Sequence, residues 1–148
     1  NSSLLLIDMK HRELRIYSDG CSRPDPGPSA YYYIVCTHEG DVVKERSSFI
    51  GDATTREVKY RGMLEGLRDA ASMEAEEVDM LFDGKLVVEC VMGRWCVKRP
   101  QFLLMTEEVR SLMNVFKRVS FESVSPDHPM MARARILLKE EMRRSLHG

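Results

Sequence analysis

The chain opens its legible pattern at Leu14-Arg15-Ile16-Tyr17-Ser18, where apolar and polar residues alternate as in a half-buried strand. This run leads into Asp19-Gly20 and then Arg23-Pro24-Asp25-Pro26-Gly27-Pro28. The closely spaced prolines remove backbone donors and fix φ, which predicts a rigid loop. Two β-rich stretches, 30–36 and 41–50, flank the turn signal His38-Glu39-Gly40-Asp41 and predict a hairpin. The period then changes. Tyr60, Met63, Leu64, Leu67 and Ala71 recur at helical spacing within 54–71, and Thr54 followed by Glu57 has the spacing of a capping box. A short apolar strand over 78–82 ends at Asp83-Gly84, and a helix over 85–92 is closed by Gly93. Helical spacing over 104–116, a strand over 119–124 and a last helix from about 129 to 146, with Pro129 in its first turn, complete the pattern.

Three strands, a helix, a strand, two helices, a strand and a helix predict the α/β class, with a mixed sheet and helices on its faces. No repeat or low-complexity tract interrupts the order. Residues 1–11 are expected to be an N-terminal extension or linker, and 12–148 a single domain. The start at Asn1 suggests a piece of a longer protein, and Leu4-Leu5-Leu6-Ile7 is too short and too weakly flanked for a signal peptide.

Composition narrows the function classes. The chain has 148 residues, 43% hydrophobic and 30% charged, with a formal net charge of −1. No global positive field draws it to nucleic acid, so any such binding needs a local patch. No apolar run approaches the ~20 residues of a membrane span. Cys21, Cys36, Cys90 and Cys96 form neither a CxxC pair nor a nearby CxxH, so they fit reduced thiols of a cytoplasmic protein better than a zinc site.

The motifs say more. Tyr17-Ser18-Asp19-Gly20 followed by Asp25-Pro26-Gly27-Pro28 resembles the first strand and loop of ribonuclease H, where Asp25 stands at a usual Asn. Thr54-Thr55-Arg56-Glu57-Val58-Lys59-Tyr60 with Glu65-Gly66-Leu67 is similar to that family's first helix, and Phe82-Asp83-Gly84-Lys85-Leu86-Val87-Val88 to its next strand end. Val97-Lys98, Glu107-Glu108-Val109 and Val119-Ser120-Phe121 follow in the family's order. The resemblance spans about residues 12 to 142 and is nearest to the compact bacterial and archaeal type 1 enzymes. It implies a five-stranded mixed sheet, three strands antiparallel and then two parallel, flanked by helices. The short spacer after Gly93 implies that a basic helical protrusion found in some members is lacking. Arg94, Lys98 and Arg99, beside Trp95, remain as a basic cluster there.

The resemblance also implies a site of four carboxylates holding two divalent ions, one activating water and one stabilising the leaving oxygen. Asp19 matches the first carboxylate and Asp83 the third, with Gly84 where Ser is common. The second should be a Glu, yet anchors on both sides put Lys59 there. Glu57 is no substitute, because two residues along a helix turn about 200°. Extending 119–124 without a gap puts Arg133 at the fourth position, and a one-residue shift puts Ala132 there. Asp127 belongs to the preceding loop, Pro129 replaces a loop Asn, and Arg135 stands at an apolar position. His128 lies near a loop His of the family, and equally suits a plain loop residue before Pro129.

Asp19 and Asp83 facing Lys59 and Arg133 balance without metal. No cofactor is therefore expected. The two acids alone offer weak ligation of a single ion, and Mg²⁺ or Mn²⁺ matters only with residual activity. Three functions remain open: a catalytically impaired module binding an RNA/DNA hybrid or RNA, with Arg56, Arg94, Lys98 and Arg99 on phosphates; an interaction or scaffolding module of a larger protein; and an active hybrid nuclease with relocated ligands. Trp95 suits packing better than base stacking.

Overall fold

The computed structural model describes residues 12–93 and 99–147. Five strands, β1 (Glu13–Ser22), β2 (Gly27–Thr37), β3 (Val42–Ala53), β4 (Glu77–Phe82) and β5 (Arg118–Ser123), form one sheet in the order β3-β2-β1-β4-β5. β1, β2 and β3 pair antiparallel, whereas β4 lies parallel to β1 and β5 parallel to β4. Helices α1 (Thr55–Ser72), α2 (Lys85–Val91), α3 (Pro100–Met113) and α4 (Pro129–His147) accompany it. This is the five-stranded mixed sheet expected from the sequence.

Alternation along the strands produces two separate cores. Leu14, Ile16, Tyr31, Tyr33 and Val35 point to one face and pack with Val58, Met63 and Leu67 of α1 and Phe102 and Val109 of α3. Tyr17, Tyr32, Ile34 and Cys36 point to the other and pack with Met131, Ala134, Leu138 and Met142 of α4. Among the described residues the last helix covers one face by itself, and its buried residues recur at the three- and four-residue spacing of one helical stripe.

The strands outrun the expected boundaries. β1 continues past Ser18, because its ladder with β2 holds to the pair Ser22 and Ser29. There the two hydroxyls lie 2.6 Å apart and donate to the Ala53 carbonyl at 3.0 and 3.1 Å, tying three strands together at that end. α3 begins at Pro100 rather than residue 104, because Pro100 suits a first turn and Phe102 is already buried. The capping box is present: Thr54 Oγ1 accepts from the Glu57 amide at 3.1 Å, and Glu57 Oε1 accepts from the Thr54 amide at 3.3 Å.

α1 lies unusually close to β1. A Cβ at Gly62 would come within 2.9 Å of Ser18 Oγ and 3.1 Å of Tyr31 Cβ, and one at Gly66 within 3.1 Å of Ile16 Cγ2. On the strand side, a Cβ at Gly20 would meet Val58 Cγ1 at 3.0 Å and the Lys59 amide nitrogen at 3.3 Å. Three missing side chains make this seam. Gly62→Ala is therefore expected to destabilise the fold by about 1–3 kcal/mol through overpacking, despite the better helix propensity of alanine. Urea denaturation checks this, and an unchanged or raised midpoint would refute the tight seam.

Candidate active site

The parallel pairing of β1 with β4 builds the site. Ser18 and Phe82 are the last register partners of this pair, so Asp19 and Asp83 follow side by side where β4 ends and β1 runs on with β2 alone. Ligand sites in sheets with parallel strands commonly lie at such carboxyl ends. Asp19 shares the sheet face of Tyr17, is buried, and accepts from the Gly20 amide through Oδ1 at 2.8 Å. Asp83 is more open to solvent, with its side chain 39% exposed.

Two cations close on this pair. The glycine seam brings the start of α1 against the end of β1, and Lys59 Nζ donates to the Asp83 carbonyl oxygen at 2.5 Å. From the other side, Arg135 of α4 places Nε 3.8 Å from Asp19 Oδ2 and Nη2 3.4 Å from Asp83 Oδ2. Burial pushes the Asp19 carboxyl above its ordinary value. The Gly20 amide, Lys59 and Arg135 pull it down, and Asp83 adds to the rise, so desolvation prevails over the favourable charges.

The guanidinium between the acids is Arg135, not Arg133 as the ungapped count expects. Arg133 instead pairs with Glu45 of β3. The physical reason is the helix itself: two residues turn about 200°, so one of the two arginines faces the acids and the other faces away. Met131, Ala134, Leu138 and Met142 mark the buried stripe of α4, and that stripe sets the helix phase independently of any count across the loop.

The other expected residues divide. Asp25 Oδ1 accepts from the Thr55 amide at 3.1 Å, fastening the proline-rich loop to the start of α1. Arg56 lies over the Phe102 ring, 4.9 Å from its centroid, in a cation–π contact. Arg99 is exposed just before α3. Arg94, Trp95, Cys96 and Lys98 lie outside the described residues. His128 stacks on Tyr17 with ring centroids 5.1 Å apart, and its Nδ1 accepts from the Met130 amide at 3.1 Å. It therefore caps and packs the entry to α4.

A pair of divalent ions does not fit these residues. Hard cations need several anionic oxygens, and here two carboxylates share their space with an ammonium and a guanidinium. Among the described residues, no group of three or more His, Cys, Asp or Glu side chains gathers as a metal site.

Comparison with known proteins places these features in a family. A family model described as "Reverse transcriptase-like" matches residues 17–135. A protein of Mycobacterium tuberculosis named as bifunctional is 41% identical over 110 residues, covering 74% of this chain and 30% of that protein. The chain thus spans less than a third of that relative's length. The solved N-terminal RNase H domain of the mycobacterial protein superposes with a TM-score of 0.83 at 36% identity, over 90% of this chain and 96% of that one. RNase H1 from the archaeon Halobacterium salinarum gives a TM-score of 0.83 at 26% identity, over 89% and 98% of the two chains.

Two outcomes follow from the geometry. Because the folded-state value of Asp19 is raised, its contribution favours the fold at low pH and is lost as pH rises through that value. Asp19→Asn is accordingly expected to stabilise the protein at neutral pH, with the gain vanishing below the ordinary carboxylate range; denaturation curves at both ends check it. Removing Arg135 as Arg135→Ala should raise the Asp19 titration midpoint further, seen by carboxyl carbon NMR, while Arg133→Ala leaves it in place. Equal shifts in the two variants would contradict the assigned helix phase.

Proposed function

This chain belongs to the ribonuclease H family, and we propose that it is a member that binds nucleic acid in its cleft without hydrolysing it efficiently. The observation that carries the reading is the Arg135 guanidinium against both Asp19 and Asp83, with the Lys59 ammonium on the Asp83 carbonyl. The charge that two ions supply in the family's reaction comes instead from side chains of the chain itself. Such a centre is balanced, but it has no metal-bound water to attack a phosphodiester. It keeps cationic donors at the place where a phosphate backbone would pass, and charge-assisted contacts to phosphate oxygens are strong. An RNA/DNA hybrid or RNA is the expected partner.

A second reading, a protein-interaction module, draws support from one feature. A groove of about 440 Å³ between α1 and α3 is lined by Leu64, Leu104, Leu112 and Val115, with Leu104 and Val115 mostly exposed. Salt separates the two readings, since phosphate contacts weaken steeply with ionic strength while apolar contacts do not.

The deciding experiment presents a labelled RNA/DNA hybrid with Mg²⁺ or Mn²⁺ to the protein and to the double variant Lys59→Glu/Arg135→Asp. The protein is expected to bind in the micromolar range at moderate salt and leave the hybrid intact. The double variant, with four carboxylates restored, should cut it in a metal-dependent manner. Efficient cleavage by the unaltered protein would overturn the proposal.

A further inference from the structure

We infer that the cleft continues past Asp19 and Asp83 as a subsite for the phosphate and sugar of a nucleic-acid strand, built by Arg23, Lys139 and Arg143. The inference rests on reading the cleft as a nucleic-acid site and adds a direction to it. A cavity of about 190 Å³ lies between the end of β1 and α4, lined by Cys21, Arg23, Lys139, Met142, Arg143 and Leu146. Cys21 is two residues beyond Asp19 on the same strand and therefore on the same sheet face. Two residues of strand span about 7 Å, so the cavity begins a short step beyond Asp19.

Its chemistry is one-sided. Three cations, a thiol and two apolar side chains line it, and no carboxylate does. The neighbouring cations of α4 all have acid partners: Arg133 meets Glu45, Arg135 meets Asp19 and Asp83, and Arg144 meets Glu141. Among the described residues, Arg23, Lys139 and Arg143 form no ion pair. Like charges gathered around one hollow repel each other, and an anion in the hollow relieves that repulsion. Apolar side chains beside cations suit a ribose beside its phosphate.

Spacing turns the hollow into a path. Arg135, Lys139 and Arg143 follow at four-residue intervals, about 6 Å apart along the helix axis. They drift slowly around α4, so the row starts at the acids and runs outward over the cavity. A strand seated at Asp19 and Asp83 meets one basic group after another as it leaves. This surface lies on the α4 face of the sheet, away from Arg56 and Arg99 at the starts of α1 and α3.

The test uses the whole chain and a fluorescein-labelled RNA/DNA hybrid carrying a single-stranded RNA extension, with anisotropy read across a salt series. Arg23→Gln/Lys139→Gln/Arg143→Gln is compared with Arg12→Gln/Lys117→Gln/Arg118→Gln, a control at the opposite end of the sheet. At about 0.7 per single-strand phosphate, the slope of log K against log salt should become shallower by about 2 in the first variant and stay unchanged in the control. In the unaltered protein the probe should also slow alkylation of Cys21, read by mass spectrometry of its peptide. Binding that is unchanged in the first variant, or equally weakened in both, overturns the subsite and leaves the proposed function standing. Absence of binding by the unaltered protein overturns both.

Discussion

Two carboxylates leave the sheet together because β1 and β4 run parallel with Ser18 opposite Phe82. Everything else in the site answers to that register. Adjacent acids where two parallel strands part repel one another, and one of them is buried, so the fold must bring positive charge to the same spot. Here the charge comes from both layers of the molecule. α1 reaches over the strand end with Lys59, and α4 reaches under it with Arg135. Burial of Asp19 still outweighs these favourable charges and holds its carboxyl above the ordinary value.

Family membership rests on the scaffold, and chemistry on the side chains it carries. The sheet order, the capped first helix and the close approach of that helix to β1 are scaffold, and the fold as a whole is shared with the mycobacterial and archaeal ribonuclease H domains. The reaction resides in a few side chains set on that scaffold. In this chain a lysine and an arginine stand beside the two acids on that scaffold.

Much of the fold was legible beforehand, for identifiable reasons. Strict alternation marked β1, the hairpin signal marked β2 and β3, and Thr54 with Glu57 announced α1 through a cap that the structure contains. Asp19, Asp83 and Lys59 each sit on an element anchored on both sides, and the structure brings them together. Arg135 was missed because the count to it crossed a loop, where residues are added without disturbing either neighbour. The stripe Met131, Ala134, Leu138 and Met142 held the needed information, since helix phase is set by what is buried and not by distance from the previous strand. The boundary of β1 was also underestimated, because its last four residues are held by hydroxyls and ladder bonds that no hydropathy pattern carries.

Arg135 has one further consequence. A dissolved ion is a ligand with a concentration, and its occupancy rises and falls with the medium. A guanidinium carried by α4 is tethered, and the packing of Met131, Ala134 and Leu138 fixes its local concentration at the acids. Its occupancy is therefore indifferent to chelators and to dilution, and it varies only with the docking of the helix. The share of positive charge that Arg135 brings to the acids thus depends on one stretch of the chain itself, so that docking the last helix and delivering that charge are a single event.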